Sequence, residues 1–196
     1  MSTDTTAINR EMRLFEREPQ VWLFGYGSLI YKADFAYLER RRAQVEGWTR
    51  RFWQGSHDHR GTPEAPGRVV TLIEMPSAVC VGAAYRITPE VFAHLDHREK
   101  NGYLRRRVTL GFADGTGAEG LVYIADPANA AYLGPAPEAA IARHVATAAG
   151  PSGPNRDYLL RLAEALRALE ADDPHVFAIE RELLALDAGA AHGTPA

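Results

Sequence analysis

Arg68-Val-Val-Thr-Leu-Ile-Glu-Met75, Pro76-Ser77-Ala78, Val79-Cys-Val-Gly-Ala-Ala-Tyr-Arg-Ile87 and Thr88-Pro89-Glu90 follow one another without a break. The first and third runs are rich in Val, Ile and Tyr and read as strands, with Met75-Pro-Ser as a turn between them. The period then changes. Thr88 suits an N-cap and Pro89 the first helical position. A helix is expected from there to about Lys100, with Gly102 as its stop.

Working towards the N-terminus, Val45–Gln54 carries Trp48, Phe52 and Trp53, and Val21–Tyr26 is an apolar run. Both read as strands. Towards the C-terminus, Leu104–Phe112 and Gly117–Ala125 form a pair around Ala113-Asp-Gly, a good hairpin signal. After Pro135 the pattern is helical over Pro137–Ala149, Asn155–Ala171 and Pro174–Asp187, with Leu159, Leu162, Leu166 and Leu169 at helical spacing. Strands first and helices later predict an α+β fold. Six or so mostly antiparallel strands would close into a compact β-barrel to hide their edges, with flanking helices and a helical C-terminal third.

The chain has 196 residues, enough for a single domain. Residues 1–20 read as a polar extension with a short helix around Ile8–Glu18, 21–187 as the domain, and 188–196 as a flexible tail. Twenty-two Lys and Arg against 25 Asp and Glu give a formal charge of −3, which does not recommend a nucleic-acid partner. No apolar run approaches the roughly 20 residues of a membrane span. The N-terminal stretch lacks the apolar core of a signal peptide. Cys80 is the single cysteine, so an intrachain disulfide is impossible and the cytoplasm is the default compartment. It sits in an apolar β-type run and reads as an inert thiol.

Phe24-Gly-Tyr-Gly-Ser-Leu-Ile30 is the sharpest local feature. Gly25 and Gly27 let the backbone approach a ligand closely. Successive N–H groups there could cradle an oxyanion, and Tyr26 and Ser28 add hydroxyls. A plain strand-end turn is the structural alternative. The pattern is neither a phosphate loop nor a nucleophile elbow.

Glu99 is the second candidate. On a wheel at roughly 100° per residue it falls between Leu95 and Phe92, inside the apolar arc, while Glu90, His94 and His97 lie opposite. A carboxylate on a buried face has a raised pKa and is a better base near neutral pH. The alternative is an ion pair with Arg105, Arg106 or Arg107. Glu90 in the first turn is explained by the helix dipole. His57-Asp-His59-Arg60 is metal-like for two ligands only, and a loop is expected; no metal is expected. Tyr132 is an aromatic hydroxyl in a Gly/Pro-bearing loop, where functional residues often sit.

Seven segments in order then carry a resemblance. They are Val21–Ile30, Arg51-Phe-Trp-Gln-Gly-Ser56, Asp58-His-Arg-Gly61, Pro66-Gly-Arg-Val-Val-Thr-Leu72, Arg98-Glu-Lys100 with Gly102-Tyr103, Tyr132-Leu-Gly-Pro-Ala-Pro137 and Ala149-Gly-Pro-Ser-Gly153. Together they resemble the ChaC-like γ-glutamylcyclotransferases, over roughly residues 21–185. The resemblance implies a lyase that converts glutathione to 5-oxoproline and Cys-Gly, with no cofactor. It implies that Gly25, Tyr26, Gly27, Ser28, Leu29 and Ile30 hold the γ-glutamyl group and that Glu99 is the acid–base residue. It suggests that Tyr132 lines the site and that Glu90 assists. Tyr31 stands where the family usually has Trp, and Asn101 where Gly is common. A cyclotransferase for other γ-glutamyl amino acids or amines, and a non-catalytic γ-glutamyl-binding module, remain as alternatives. Oligomeric state is not legible.

Overall fold

The computed structural model describes residues 4–192. Five strands form a closed barrel: β1 (Val21–Gly25), β2 (Glu39–Ser56), β3 (Gly67–Ile87), β4 (Tyr103–Phe112) and β5 (Gly117–Ala125), in the order β1-β3-β2-β4-β5. All neighbours are antiparallel except the closing pair, where β1 runs parallel to β5 with Leu23 opposite Leu121. Closure leaves no open edge, which is why a small sheet of such apolar strands adopts it.

One expectation is corrected here. Arg68–Met75 and Val79–Ile87 do not fold back on each other; they are the two halves of the single strand β3, and both pair with β2. The ladder shifts between Glu46↔Val79 and Trp48↔Glu74, so Met75–Ala78 stand opposite Gly47 alone. Pro76 has no N–H to give the ladder, and the segment bulges outward instead of reversing the chain. Gly47 takes φ +79°, which suits a residue without a Cβ. The β4–β5 hairpin forms where Ala113-Asp-Gly predicts it. Gly115 at φ +79° donates to Phe112, and the Asp114 carboxylate accepts from the Thr116 N–H and hydroxyl.

Five helices flank the barrel: α1 (Thr6–Met12), α2 (Phe92–Arg98), α3 (Glu138–Thr147), α4 (Asn155–Ala168) and α5 (Pro174–His192). Strand alternation divides the core in two. On β1, Val21 and Leu23 face one cluster with Ala83, Tyr85, Phe92, Leu95 and Leu121 beneath α2. Trp22 and Phe24 face the other, which joins Phe52, Leu72, Leu110 and Val122 to the helical layer. In α4, Leu159, Leu162 and Leu166 are wholly buried on one face. Cys80 is buried, and burial pushes its thiol up to about 11, which keeps it unreactive.

Within residues 4–20, α1 lies against β4. Thr5 and Asn9 donate to the Tyr103 carbonyl, and the Asn9 amide oxygen accepts from the Arg105 N–H at 2.9 Å. At the other end α5 runs through residue 192, past Asp187; residues 193–196 of the stretch read as a tail lie outside the described residues. No helix among the described residues is long and apolar enough to cross a membrane.

Candidate active site

The chain leaves β1 at Gly25, turns at Gly27 and enters a short 3-10 turn at Ser28–Ile30. Two approaches require the glycines. A Cβ on Gly25 would stand 2.6 Å from the Leu29 Cβ, and one on Gly27 would stand 2.9 Å from Val70 Cγ2 and 3.0 Å from the Tyr158 hydroxyl. Tyr26 is held at both ends. Its hydroxyl donates to the Tyr123 carbonyl at 2.7 Å, and its own carbonyl accepts from Arg50 Nε at 2.5 Å. Arg50 is fully buried, and it also donates to the Val81 carbonyl and to Asp173, which caps α5 by accepting from the Val176 N–H. The helical layer is thus tied to the loop through one guanidinium.

Across from the loop stands Glu99, the residue that ends α2, with its N–H on the Leu95 carbonyl at 2.8 Å. A buried ion pair sets the seat of that helix. Arg105 on β4 grips Asp96 with two donors, at 2.9 and 2.6 Å, and the Tyr123 hydroxyl donates to the same carboxylate. With Phe92, Leu95 and Asp96 facing the barrel, the Glu99 side chain turns inward and is 17% exposed. His94 and His97 are exposed, as the wheel predicts. Gly102 follows at φ +88°, where only a residue without a Cβ escapes the Asn129 carboxamide.

Loop and carboxylate share one cavity of about 170 Å³. Gly27, Ser28 and Leu29 form one side and Glu99 with Arg98 another; Tyr103 and Tyr158 supply apolar faces. Asp58, His59 and Arg60 close it from the loop between β2 and β3. Burial pushes the Glu99 carboxyl above the ordinary glutamate range; the Arg98 charge opposes this, while Asp34 and Asp58 add to it. Burial likewise pushes the phenols of Tyr26, Tyr103 and Tyr158 up, so they stay neutral. The Tyr31 hydroxyl and Asp58 Oδ1 border the cavity, are buried, and have no hydrogen-bond partner within the protein. Such atoms ask for a ligand or water.

The structure therefore brings together Tyr26, Gly27, Ser28, Leu29 and Glu99. Gly25 and Ile30 lie behind the cavity wall; Ile30 is buried in the core. Two residues named from sequence, Glu90 and Tyr132, are not among those that line this cavity. Glu90 is exposed on a 3-10 turn (Pro89–Val91) that precedes α2, and it accepts from the Thr88 hydroxyl. Tyr132 does not line the cavity. The Trp53 carbonyl accepts from the N–H groups of Leu133 and Gly134, which lays that loop along β2. The arginine beside Glu99 is its neighbour Arg98 at 3.3 Å, whereas Arg105 serves Asp96 and Arg106 and Arg107 pair with Asp126 and Glu119 at the surface.

Asp58, Arg60, Tyr103 and Tyr158 are not singled out by sequence reasoning. The available signals are the run Asp58-His-Arg-Gly61 and the pair Gly102-Tyr103 among the resembling segments, without a role attached to Asp58, Arg60 or Tyr103. Among the described residues no group of three or more His, Cys, Asp or Glu is placed to hold a metal ion. His59 Nδ1 lies 3.0 Å from the Ser152 hydroxyl.

Gly27→Ala is expected to lower kcat/KM for a substrate of this cavity by about 10²-fold, since displacements near 1 Å can cost that much. Steady-state kinetics on folded protein checks it.

Comparison with known proteins gives the family. The family model of ChaC-like proteins matches residues 21–185. A zebrafish (Danio rerio) glutathione-specific γ-glutamylcyclotransferase 1 is 47% identical over 176 residues, covering 84% of this chain and 89% of that protein. The human protein of the same name is 43% identical over 173 residues, covering 83% and 78%. A crystal structure of the yeast γ-glutamyl cyclotransferase specific to glutathione superposes with a TM-score of 0.79 at 31% identity, covering 86% of this chain and 97% of that one. The matched span runs from β1 into α5 and takes in both the glycine loop and Glu99, so the chain belongs to the ChaC-like family.

Proposed function

We propose that the protein is a γ-glutamylcyclotransferase that cleaves glutathione to 5-oxoproline and Cys-Gly. One observation carries the reading: a desolvated carboxylate, Glu99, faces the Gly27–Leu29 turn across a single cavity. The names of the relatives add the substrate.

The reaction needs no outside nucleophile. Glu99 takes a proton from the substrate's α-ammonium. The freed amine attacks the γ-carbonyl carbon, and a new C–N bond closes a five-membered ring. Negative charge gathers on the carbonyl oxygen, where N–H groups of the glycine loop receive it; one such donor is commonly worth about 10²–10³ in rate. The bond from the γ-carbon to the cysteinyl nitrogen then breaks as Glu99 returns its proton to that nitrogen; the ring nitrogen gives up its remaining extra proton to the freed amine, so the lactam is neutral and Cys-Gly leaves as an ammonium. Folding the γ-glutamyl arm into attack geometry supplies much of the acceleration, up to roughly 7–11 kcal/mol for a well-aligned intramolecular reaction. The phenol-lined wall serves this by excluding water.

A substrate panel tests the assignment. Purified protein is given reduced glutathione, γ-glutamylalanine and a γ-glutamylamine at equal concentration, and 5-oxoproline is quantified. Turnover confined to glutathione supports the reading. Preference for another γ-glutamyl compound moves the substrate, and absence of turnover from folded protein removes the activity.

A further inference from the structure

Arg98 directly precedes Glu99, and its side chain is 12% exposed. Its guanidinium makes four contacts that converge on the reacting region. Nε lies 3.3 Å from Glu99 Oε1. One terminal nitrogen donates to the Ser28 hydroxyl at 3.0 Å. The other donates to the Lys32 carbonyl at 3.1 Å and to the Asp34 carboxylate. A single planar group thus spans the carboxylate, the glycine loop and the segment that follows the loop. Asp34 in turn has His94 Nε2 at 3.4 Å on its outer side.

The charges around Glu99 make this contact consequential. From the segment after β1 come Tyr26, Lys32 and Asp34; from the β2–β3 loop come Asp58, His59 and Arg60. Tyr103 approaches from β4, Tyr123 from β5 and Tyr158 from α4. The phenols strip water, and Asp34 and Asp58 repel a second negative charge; both effects favour a protonated Glu99. A protonated carboxyl cannot accept the ammonium proton. Among the described residues Lys32 and Arg60 form no ion pair with Glu99, so Arg98 is the cation in direct contact with it.

We propose that Arg98 is a positioning residue whose guanidinium fixes the Glu99 carboxylate against Ser28 and keeps it ionised for proton acceptance. This rests on the reading of Glu99 as the proton acceptor. A lysine would retain the charge but not the planar fork that reaches Glu99, Ser28 and the Lys32 carbonyl together.

The test is the pH dependence of kcat and KM for glutathione in the wild type, Arg98→Met and Arg98→Lys. Removing the charge from beside the carboxylate is expected to move the acid limb of kcat/KM upward by about one pH unit. Arg98→Lys is expected to leave the limb in place and to lower kcat by about tenfold with little change in KM, through lost alignment. A purely structural role would reduce the yield of folded enzyme without moving the limb. An Arg98→Met limb superimposable on the wild type, or an Arg98→Lys enzyme with wild-type kcat, overturns the proposal. Where Arg98→Met does not fold, the kcat of Arg98→Lys decides. A second readout does not depend on turnover. The Glu99 carboxyl carbon is titrated by NMR in the wild type and in a folded Arg98 variant without the charge. A higher midpoint in the variant supports the ion pair, and an unchanged one overturns it. Failure of the wild type to use glutathione, with that midpoint still displaced, would reject the proposed substrate while leaving the Arg98–Glu99 coupling standing.

Discussion

Glu99→Gln is expected to fold normally and to lose turnover of glutathione by about 10²–10⁴-fold, towards the upper end because one carboxyl both takes and returns the proton. Glutamine fills the same space and keeps a carbonyl oxygen for Arg98, so binding should change little and the loss should fall on kcat. The stability of the variant separates chemistry from folding. Burial raises the Glu99 carboxyl, so the folded state favours its protonated form. A group raised in this way contributes stability below its unfolded pKa, and that contribution is lost as pH rises through the folded one. Above that range the wild type holds a costly buried carboxylate, and the neutral amide of the variant removes that cost. The melting temperature of the variant at neutral pH should therefore equal or exceed that of the wild type, while its activity is nearly gone. The wild-type rate should fall as pH drops through the raised pKa, because the base becomes protonated. Full activity in Glu99→Gln would refute the assignment.

Arg50→Met is expected to give the largest loss of stability. It would leave Asp173 without its buried partner and the carbonyls of Tyr26 and Val81 without donors. Removing one member of a buried pair costs about 3–5 kcal/mol. That is a large fraction of the roughly 5–15 kcal/mol that holds a domain folded. Denaturant unfolding followed by fluorescence measures it. The protein that remains folded should also turn over more slowly, because the Tyr26 carbonyl anchors the glycine loop. A variant as stable as the wild type would show that the Arg50–Asp173 pair does not tie α5 to the barrel.

The legible parts of the fold are those governed by local chemistry. The Asp114-Gly115 hairpin follows from turn preferences, the 3-10 turn that leads into α2 from Thr88-Pro89, and the buried face of α4 from leucine spacing. The long strands are harder to read. β3 runs for 21 residues across Pro76, and pairing with β2 on both sides of the bulge carries it past a residue that locally signals a turn. Non-local pairing overrides the local signal there. The same division holds at the site. The glycine loop announces itself because close packing there leaves no room for a Cβ on Gly25 or Gly27, and Glu99 because it breaks an apolar arc. The partner of Glu99 is not among the arginines that sequence suggests, because Arg105 belongs to Asp96, a pairing that depends on how α2 sits on β4 and β5. A site role for Glu90 enters through resemblance, and one for Tyr132 through its loop as well as the resemblance; neither is among the residues that line the cavity. Asp58 and Arg60 cannot be placed from sequence, since a loop between two long strands reaches the site only once the barrel has closed.

The central claim is that the substrate's own amine, and not water or an enzyme nucleophile, attacks the γ-carbonyl. The most direct measurement is product analysis by mass spectrometry after incubation with reduced glutathione in heavy-oxygen water. The expected result is equimolar 5-oxoproline and Cys-Gly, with no heavy oxygen in the 5-oxoproline and no glutamate formed directly. Labelled glutamate, or a glutamyl adduct on the protein, would contradict it.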